Sequence, residues 1–306
     1  MLVQTIMRTR VGRLFSGNII MPDSCPVKQF RDYDALIQIL IDHGLIIDDQ
    51  DAAKSFLKEV NYYRFSGYFL TFKNGSVFYP DVTFEIIRDL YYFDHELKIL
   101  LLKYIAHIEI AFRNAISHCH AEKYGPIGYL KSDNFDNIHY YAQFICNLDK
   151  TIKRSNDVFV AHHKNKYASI FPVWVAVQTI TIGTLNKLYD NMLTPDKKHI
   201  AKTYFNSSWV YVSSWFKSVA DLRNICAHWG RLYNCPVSSP KLDGKKYPSA
   251  IVKRNRVFCQ IVAMYNLLSK ECQQSFRDEF KNIIATHSNI LLSHLGCNGD
   301  WKDYLK

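Results

Sequence analysis

Residues 81–124 read "DVTFEIIRDLYYFDHELKILLLKYIAHIEIAFRNAISHCHAEKY", the longest periodic segment of the chain. Its apolar residues Leu90, Phe93, Leu97, Leu101, Tyr104, Ile108, Phe112 and Ala115 step by three and four without a break. At about 100° per residue they fall on one stripe, so the spacing predicts a long amphipathic helix with one face toward a core. Asp81, directly after Pro80, is placed to cap its start. The "YGPIG" of residues 124–128 is placed to end it.

The same stripe pattern returns further along the chain. In residues 215–233, Trp215, Val219, Leu222, Cys226, Trp229 and Tyr233 again step by three and four. Elsewhere, "DYDALIQILIDHGLIIDD" (32–49) is helix-like with Gly44 as a stop, and "NYYRFSGYFLTF" (61–72) is an aromatic run. Alternating strand patterns are scarce and short. The expected fold is an all-α helical bundle. Its segments are an N-terminal extension (1–21), a helical and aromatic segment (22–79), a first half (80–150), a basic linker (151–168) and a second half (169–306).

The two periodic helices share more than their stripes. "AFRNAISHCH" (111–120) aligns with "DLRNICAHWG" (221–230), setting Arg113, Asn114 and His118 against Arg223, Asn224 and His228. On a helix, Asn and His at i and i+4 lie about 40° apart, and Arg about 100° from Asn. Each triad therefore borders its apolar stripe, and two such helices packed together are expected to bring both triads to one groove. For a single copy, bracing of neighbouring helices is the plainer account. The matched pair points to a site.

The chemistry of the triad suits RNA. An imidazole with an ordinary pKa of about 6.5 takes a proton from a ribose 2′-hydroxyl or gives one to a departing 5′-oxygen. A fork-shaped guanidinium holds the phosphate and stabilises charge growing on its oxygens. Asn orients either partner. The route needs a 2′-hydroxyl and no metal or other cofactor, so RNA rather than DNA is the expected substrate.

Composition agrees. Among 306 residues, 38 Lys and Arg outnumber 28 Asp and Glu, and the formal net charge of +10 favours a polyanionic partner. Arg64, Lys73, Lys153, Arg154, His162, His163, Lys164 and Lys166 are candidate RNA-backbone contacts. The aromatic set Tyr62, Tyr63, Phe65, Tyr68 and Phe69 reads as core, with stacking on unpaired bases as the alternative. The eight cysteines form no Cys-x-x-Cys pair, and His118, Cys119, His120, Cys226 and Cys235 lack regular ligand spacing, so no metal site is expected. Arg8, Arg10 and Arg13 interrupt the N-terminal apolar residues, against a secretory signal, and no apolar run reaches membrane-spanning length. A cytoplasmic protein without a membrane partner is expected.

The paired Arg-Asn-x-x-x-His motifs resemble those of the HEPN superfamily of nucleases. The wider sequence resembles its abortive-infection branch, the Abi proteins of the AbiD/AbiF type, over roughly residues 26–303. The landmarks are "GLIIDDQDAAKSFLKEVNYYRFSGYFLTF" (44–72), "FPVWVAVQTITIGTLNKLY" (171–189), "SSWFKSVADLRNICAHWGRLYN" (213–234) and "LGCNGDW" (295–301). The resemblance implies two HEPN-like halves and metal-independent RNA cleavage that leaves cyclic phosphate ends. It also implies a toxin role in phage defence, binding of a small structured non-coding RNA, and a possible homodimer. The functional positions carried over are Arg113, Asn114, His118, Arg223, Asn224 and His228. Where the family often has a second His after the C-terminal motif, this chain has Trp229, and Gln178 stands where a Glu is common. The alternatives are a non-catalytic RNA-binding or toxin-neutralising module and a partner of a nucleotidyltransferase.

Overall fold

The computed structural model describes residues 28–287 and 289–306, so the expected N-terminal extension (1–21) lies outside the described residues. The architecture is an all-α bundle whose only sheet among the described residues is a two-stranded hairpin. Twelve α-helices follow in order: α1 (Tyr33–Asp42), α2 (Gln50–Glu59), α3 (Tyr62–Ser66), α4 (Phe84–Tyr124), α5 (Ile138–Arg154), α6 (Val158–Lys166), α7 (Val173–Ala176), α8 (Ile182–Asn191), α9 (Thr194–Phe205), α10 (Trp209–Ala227), α11 (Val257–Tyr265) and α12 (Lys270–Thr286). The hairpin pairs β1 (Lys73–Asn74) with β2 (Val77–Phe78) antiparallel, turning through Gly75 at φ 60.

Helix α4 is the spine. Its 41 residues span roughly 60 Å at 1.5 Å per residue. Every member of the stripe read from sequence, Leu90 through Ala115, is buried. The cap is two residues later than expected. Thr83 Oγ1 accepts from the Ile86 N–H at 3.3 Å, whereas Asp81 sits at φ 63, outside the helix. A hydroxyl one residue before the first helical turn reaches its free N–H groups, and a side chain two residues further back does not. Gly125 at φ 79 closes the other end.

Helices α7, α9, α10, α11 and α12 all contact the spine. Helix α10 runs antiparallel to it. The Phe112 ring stacks on Phe216 with centroids 3.6 Å apart, while the Leu232 and Tyr233 N–H groups just beyond α10 reach back to Asp94. Phe112 also meets Phe205 and Tyr189, so the crossing of α4, α8, α9 and α10 is an aromatic knot. Fully burying one such ring contributes about 1.5–3 kcal/mol. All nine residues of α11 are buried, and all but Gln260, whose Nε2 donates to the Ser238 carbonyl at 3.1 Å, are apolar or aromatic.

Two sequence expectations change here. The expected basic linker is largely helical, ending α5 and forming α6, because Phe144, Leu148 and Val160 give those helices a face to bury. Trp229, assigned by phase to the buried stripe of α10, lies beyond the end of that helix and is 38% exposed.

Candidate functional site

The second triad sits where α10 stops. Arg223 and Asn224 occupy its last turns, and His228 is the capping residue, its N–H donating to the Asn224 carbonyl. All three side chains are exposed, and no described residue pairs with any of them. The stop has the double closure of a Schellman turn: the Trp229 N–H donates to Cys226 O at 3.0 Å and the Gly230 N–H to Ile225 O at 2.8 Å. The left-handed position of that turn, usually glycine, holds Trp229 at φ 55. A side chain there costs about 1–2 kcal/mol. Two contacts hold it: the indole stacks on His95 at 4.6 Å, and Arg64 donates to the Trp229 carbonyl.

His228 opens onto a cleft of about 440 Å³ lined also by Tyr63, Arg64, Trp229 and Arg231. Arg231 is held by the Gly67 carbonyl. The cleft therefore gathers an imidazole, two guanidinium groups and the exposed aromatic rings of Tyr63 and Trp229, with Arg223 and Asn224 one helical turn behind His228. Of the aromatic run, Phe65, Tyr68 and Phe69 are buried as expected for core. Tyr63 is the exception and stands in the cleft, 86% exposed.

One buried carboxylate fixes this arrangement. Asp94 accepts from Lys98 Nζ at 2.5 Å, Tyr68 Oη at 2.6 Å and the Leu232 and Tyr233 N–H groups at 3.1 and 2.9 Å. Both Asp94 and Lys98 are essentially inaccessible to water. Burial, with the neighbouring carboxylate, pushes the Tyr68 phenol well above its ordinary value, so it remains a donor. The segment after His228 and the segment after Tyr63 are thus tied to one point on α4.

The first triad is built differently. Arg113 pairs with Glu109 one turn earlier and donates to the Val177 and Ile180 carbonyls, so its guanidinium clasps the chain after α7. Asn114 and His118 remain exposed and line a separate hollow of about 400 Å³ with Ser117, Glu122 and Trp174.

The expected meeting of both triads in one groove does not occur within the chain. Antiparallel packing sends Arg113, Asn114 and His118 past the Phe112–Phe216 stack in one direction, and Arg223, Asn224 and His228 in the other. His95, which marks the second site through Trp229, lies roughly 35 Å along α4 from His118. Equal helical phase ensures a shared face, but helix direction decides whether two sites coincide.

The other sequence candidates scatter. Arg64 is in the His228 cleft. Lys73 lies on β1, its cation 6.0 Å from the Phe69 and Phe78 rings. Lys153 pairs with Asp149 at 2.7 Å, and Arg154 ends α5. His162, His163 and Lys166 line a further hollow, and Lys164 shares another with Lys153. Sequence reading missed Arg231, His95 and the exposure of Trp229 and Tyr63. Arg231 and Trp229 stand inside the motif segment itself, three and one residues after His228.

Among the described residues no group of three or more His, Cys, Asp or Glu is arranged to hold a metal ion. Cys226 is fully buried, and burial pushes its thiol up to about 12. No helix of the described residues is long and apolar enough to cross a membrane.

Comparison with curated proteins and with solved structures gives no match. A family model does match, that of Abi-like proteins, over residues 55–234, which is 180 of the 306 residues. The matched range begins inside α2 and ends just beyond the His228 turn, so it contains both triads, Arg64 and the Asp94 tie. The chain belongs to the Abi-like protein family, whose name points to abortive infection and so to phage defence.

Proposed function

We propose that the chain is a metal-independent endoribonuclease of the HEPN superfamily, of the AbiD/AbiF type, acting as a toxin in abortive infection, with Arg223, Asn224 and His228 as the reacting set. The observation that carries this is the uncommitted state of those three side chains beside a cleft already furnished with Arg64, Arg231, Tyr63 and Trp229.

A nucleobase stacks on Trp229 or Tyr63 while the guanidinium groups hold its phosphate. The ribose 2′-oxygen gives up its proton and forms a bond to phosphorus. The bond from phosphorus to the 5′-oxygen breaks, and that oxygen receives a proton. The products are a 2′,3′-cyclic phosphate and a 5′-hydroxyl. Each such transfer by a positioned imidazole contributes about 10²- to 10⁴-fold. One His228 serves one of the two transfers. The other falls to the His228 of a second copy of the chain, related by a twofold axis at the end of α10, where both copies present the same exposed surface. A small structured RNA binding the same basic surface restrains the toxin.

The direct test is turnover. The purified chain is expected to cut single-stranded RNA in excess EDTA and to leave cyclic phosphate ends. A substrate with 2′-deoxyribose at the cleaved position is expected to resist. Cleavage that EDTA stops, or that accepts the deoxy substrate, eliminates the mechanism. The presence of one imidazole per cleft favours, as the second reading, a module that holds RNA without cutting it. That reading is distinguished by binding without turnover.

Trp229 offers a separate measurement. Trp229→Gly relieves about 1–2 kcal/mol of backbone strain and gives up a ring stack of about 0.5–1.5 kcal/mol, so Tm is expected to stay within a few degrees. RNA affinity is nonetheless expected to fall by about 5- to 150-fold as one stacked base is released. Unchanged affinity removes Trp229 from the RNA path.

A further inference from the structure

Outside the His228 cleft, a broad open surface surrounds Trp174. Two hollows meet at that ring. One, of about 400 Å³, presents Asn114, Ser117, His118 and Glu122. The other, of about 670 Å³, presents His162, His163, Lys166, Tyr167 and Ile170. Trp174 and Tyr167 are 49% and 46% exposed, so both rings present a face to solvent beside the hollows.

The platform is built rather than incidental. Ala168 and Ser169 both adopt left-handed backbone, at φ 49 and 60, a conformation that side chains resist and that survives only where neighbours enforce it. Here the enforcement is visible. The Ser169 N–H donates to His163 O at 3.2 Å, and the Ile170 N–H to Tyr167 O at 2.8 Å. The His163 ring stacks on Phe171. On the other side of Trp174, Arg113 grips the Val177 and Ile180 carbonyls and fixes the segment that carries the indole. The first motif copy thus has its Arg beneath the platform and its Asn and His on the platform's floor.

We propose that this Trp174-centred surface is an anchoring site for single-stranded RNA, distinct from the His228 cleft. It rests on the reading of the chain as a protein that acts on RNA, but not on cleavage. Exposed rings beside a lysine and two imidazoles fit unpaired bases stacked along a phosphate backbone. The Asn, Ser, His and Glu side chains of the smaller hollow offer both donors and acceptors to a base edge, which a duplex keeps hidden. A protein partner would find this mixture of bare rings and cations less complementary than a polyanion does, given the net charge of +10. Because His118 lies roughly 35 Å along α4 from the His95–Trp229 pair, a stacked strand needs on the order of ten nucleotides to touch both sites of one chain.

The experiment uses the full chain carrying His228→Ala, so that the probe stays intact, and a fluorescein-labelled single-stranded RNA of about twenty nucleotides read by anisotropy. Adding Trp174→Ala is expected to weaken binding by about 5- to 150-fold, whereas Trp174→Phe, which keeps a stacking plane, retains most of the affinity. Lys166→Ala is expected to lower the salt dependence by about one phosphate contact. Equal affinity of the Trp174→Ala and parent chains overturns the proposal, as does failure of the parent to bind the RNA. Wild-type cleavage is assayed separately. Cleavage together with undiminished Trp174→Ala binding removes the anchor alone. Loss of binding in Trp174→Ala without any wild-type cleavage removes the nuclease reading and leaves the anchor standing.

Discussion

His228→Ala is expected to lower the rate of RNA cleavage by about 10²- to 10⁴-fold while leaving the fold intact. Among the described residues the imidazole has no side-chain partner, and it stands in solvent at the mouth of the cleft, so its removal strands no buried group. A change in stability beyond about 0.5 kcal/mol is not expected. Arg223→Ala behaves in the same way, since its guanidinium is exposed and unpaired among the described residues. Arg113→Ala is expected to do the opposite. It abandons Glu109 and leaves the Val177 and Ile180 carbonyls without a donor, a loss of about 2–4 kcal/mol that lowers Tm. Cleavage per folded molecule should then persist. Measuring Tm and single-turnover rates for the three variants decides the matter. A catalytically dead Arg113→Ala chain with normal Tm would move the chemistry to the other end of α4.

The second large effect belongs to Asp94. Asp94→Ala leaves the Lys98 ammonium buried without a counter-charge and deprives Tyr68 and two N–H groups of their acceptor. Breaking a buried pair from one side typically costs about 3–5 kcal/mol. Tm is therefore expected to fall by on the order of 10 °C. Pairing Asp94→Leu with Lys98→Met replaces both charges by apolar groups of similar size, and much of the stability should return. Activity should not return with it, because no acceptor then holds Leu232 and Tyr233 behind the His228 turn. A double variant that is both stable and fully active would show that Asp94 supports the core without positioning the site.

The long helix was legible because burial on one side of a helix imposes a period of 3.6 residues on the sequence itself. Each of the eight residues from Leu90 to Ala115 read as core is core. The Glu109–Arg113 pair, four residues apart on one helix face, is a local pattern of the same kind. The error at Trp229 shows the limit of phase. The helix ends one residue earlier, at the His228 cap, and after a left-handed residue the count of 100° per residue no longer holds. The segregation of the two triads was hidden for another reason. A motif records what lies beside it in the chain, whereas antiparallel packing of α4 and α10 is decided by the loops and the aromatic knot between them. The Asp94 tie joins residues 138 and 139 positions apart, a range at which no local pattern operates.

The spine also governs how the molecule comes apart. Helices that precede α4 in the chain and helices that follow it both bury apolar faces against it, and one continuous apolar cluster joins them. With one interior shared along the spine, denaturant is expected to take the chain down in a single cooperative step. For the same reason the segments on either side of α4 are poor modules for recombination: swapping one between relatives would transplant part of a shared interior.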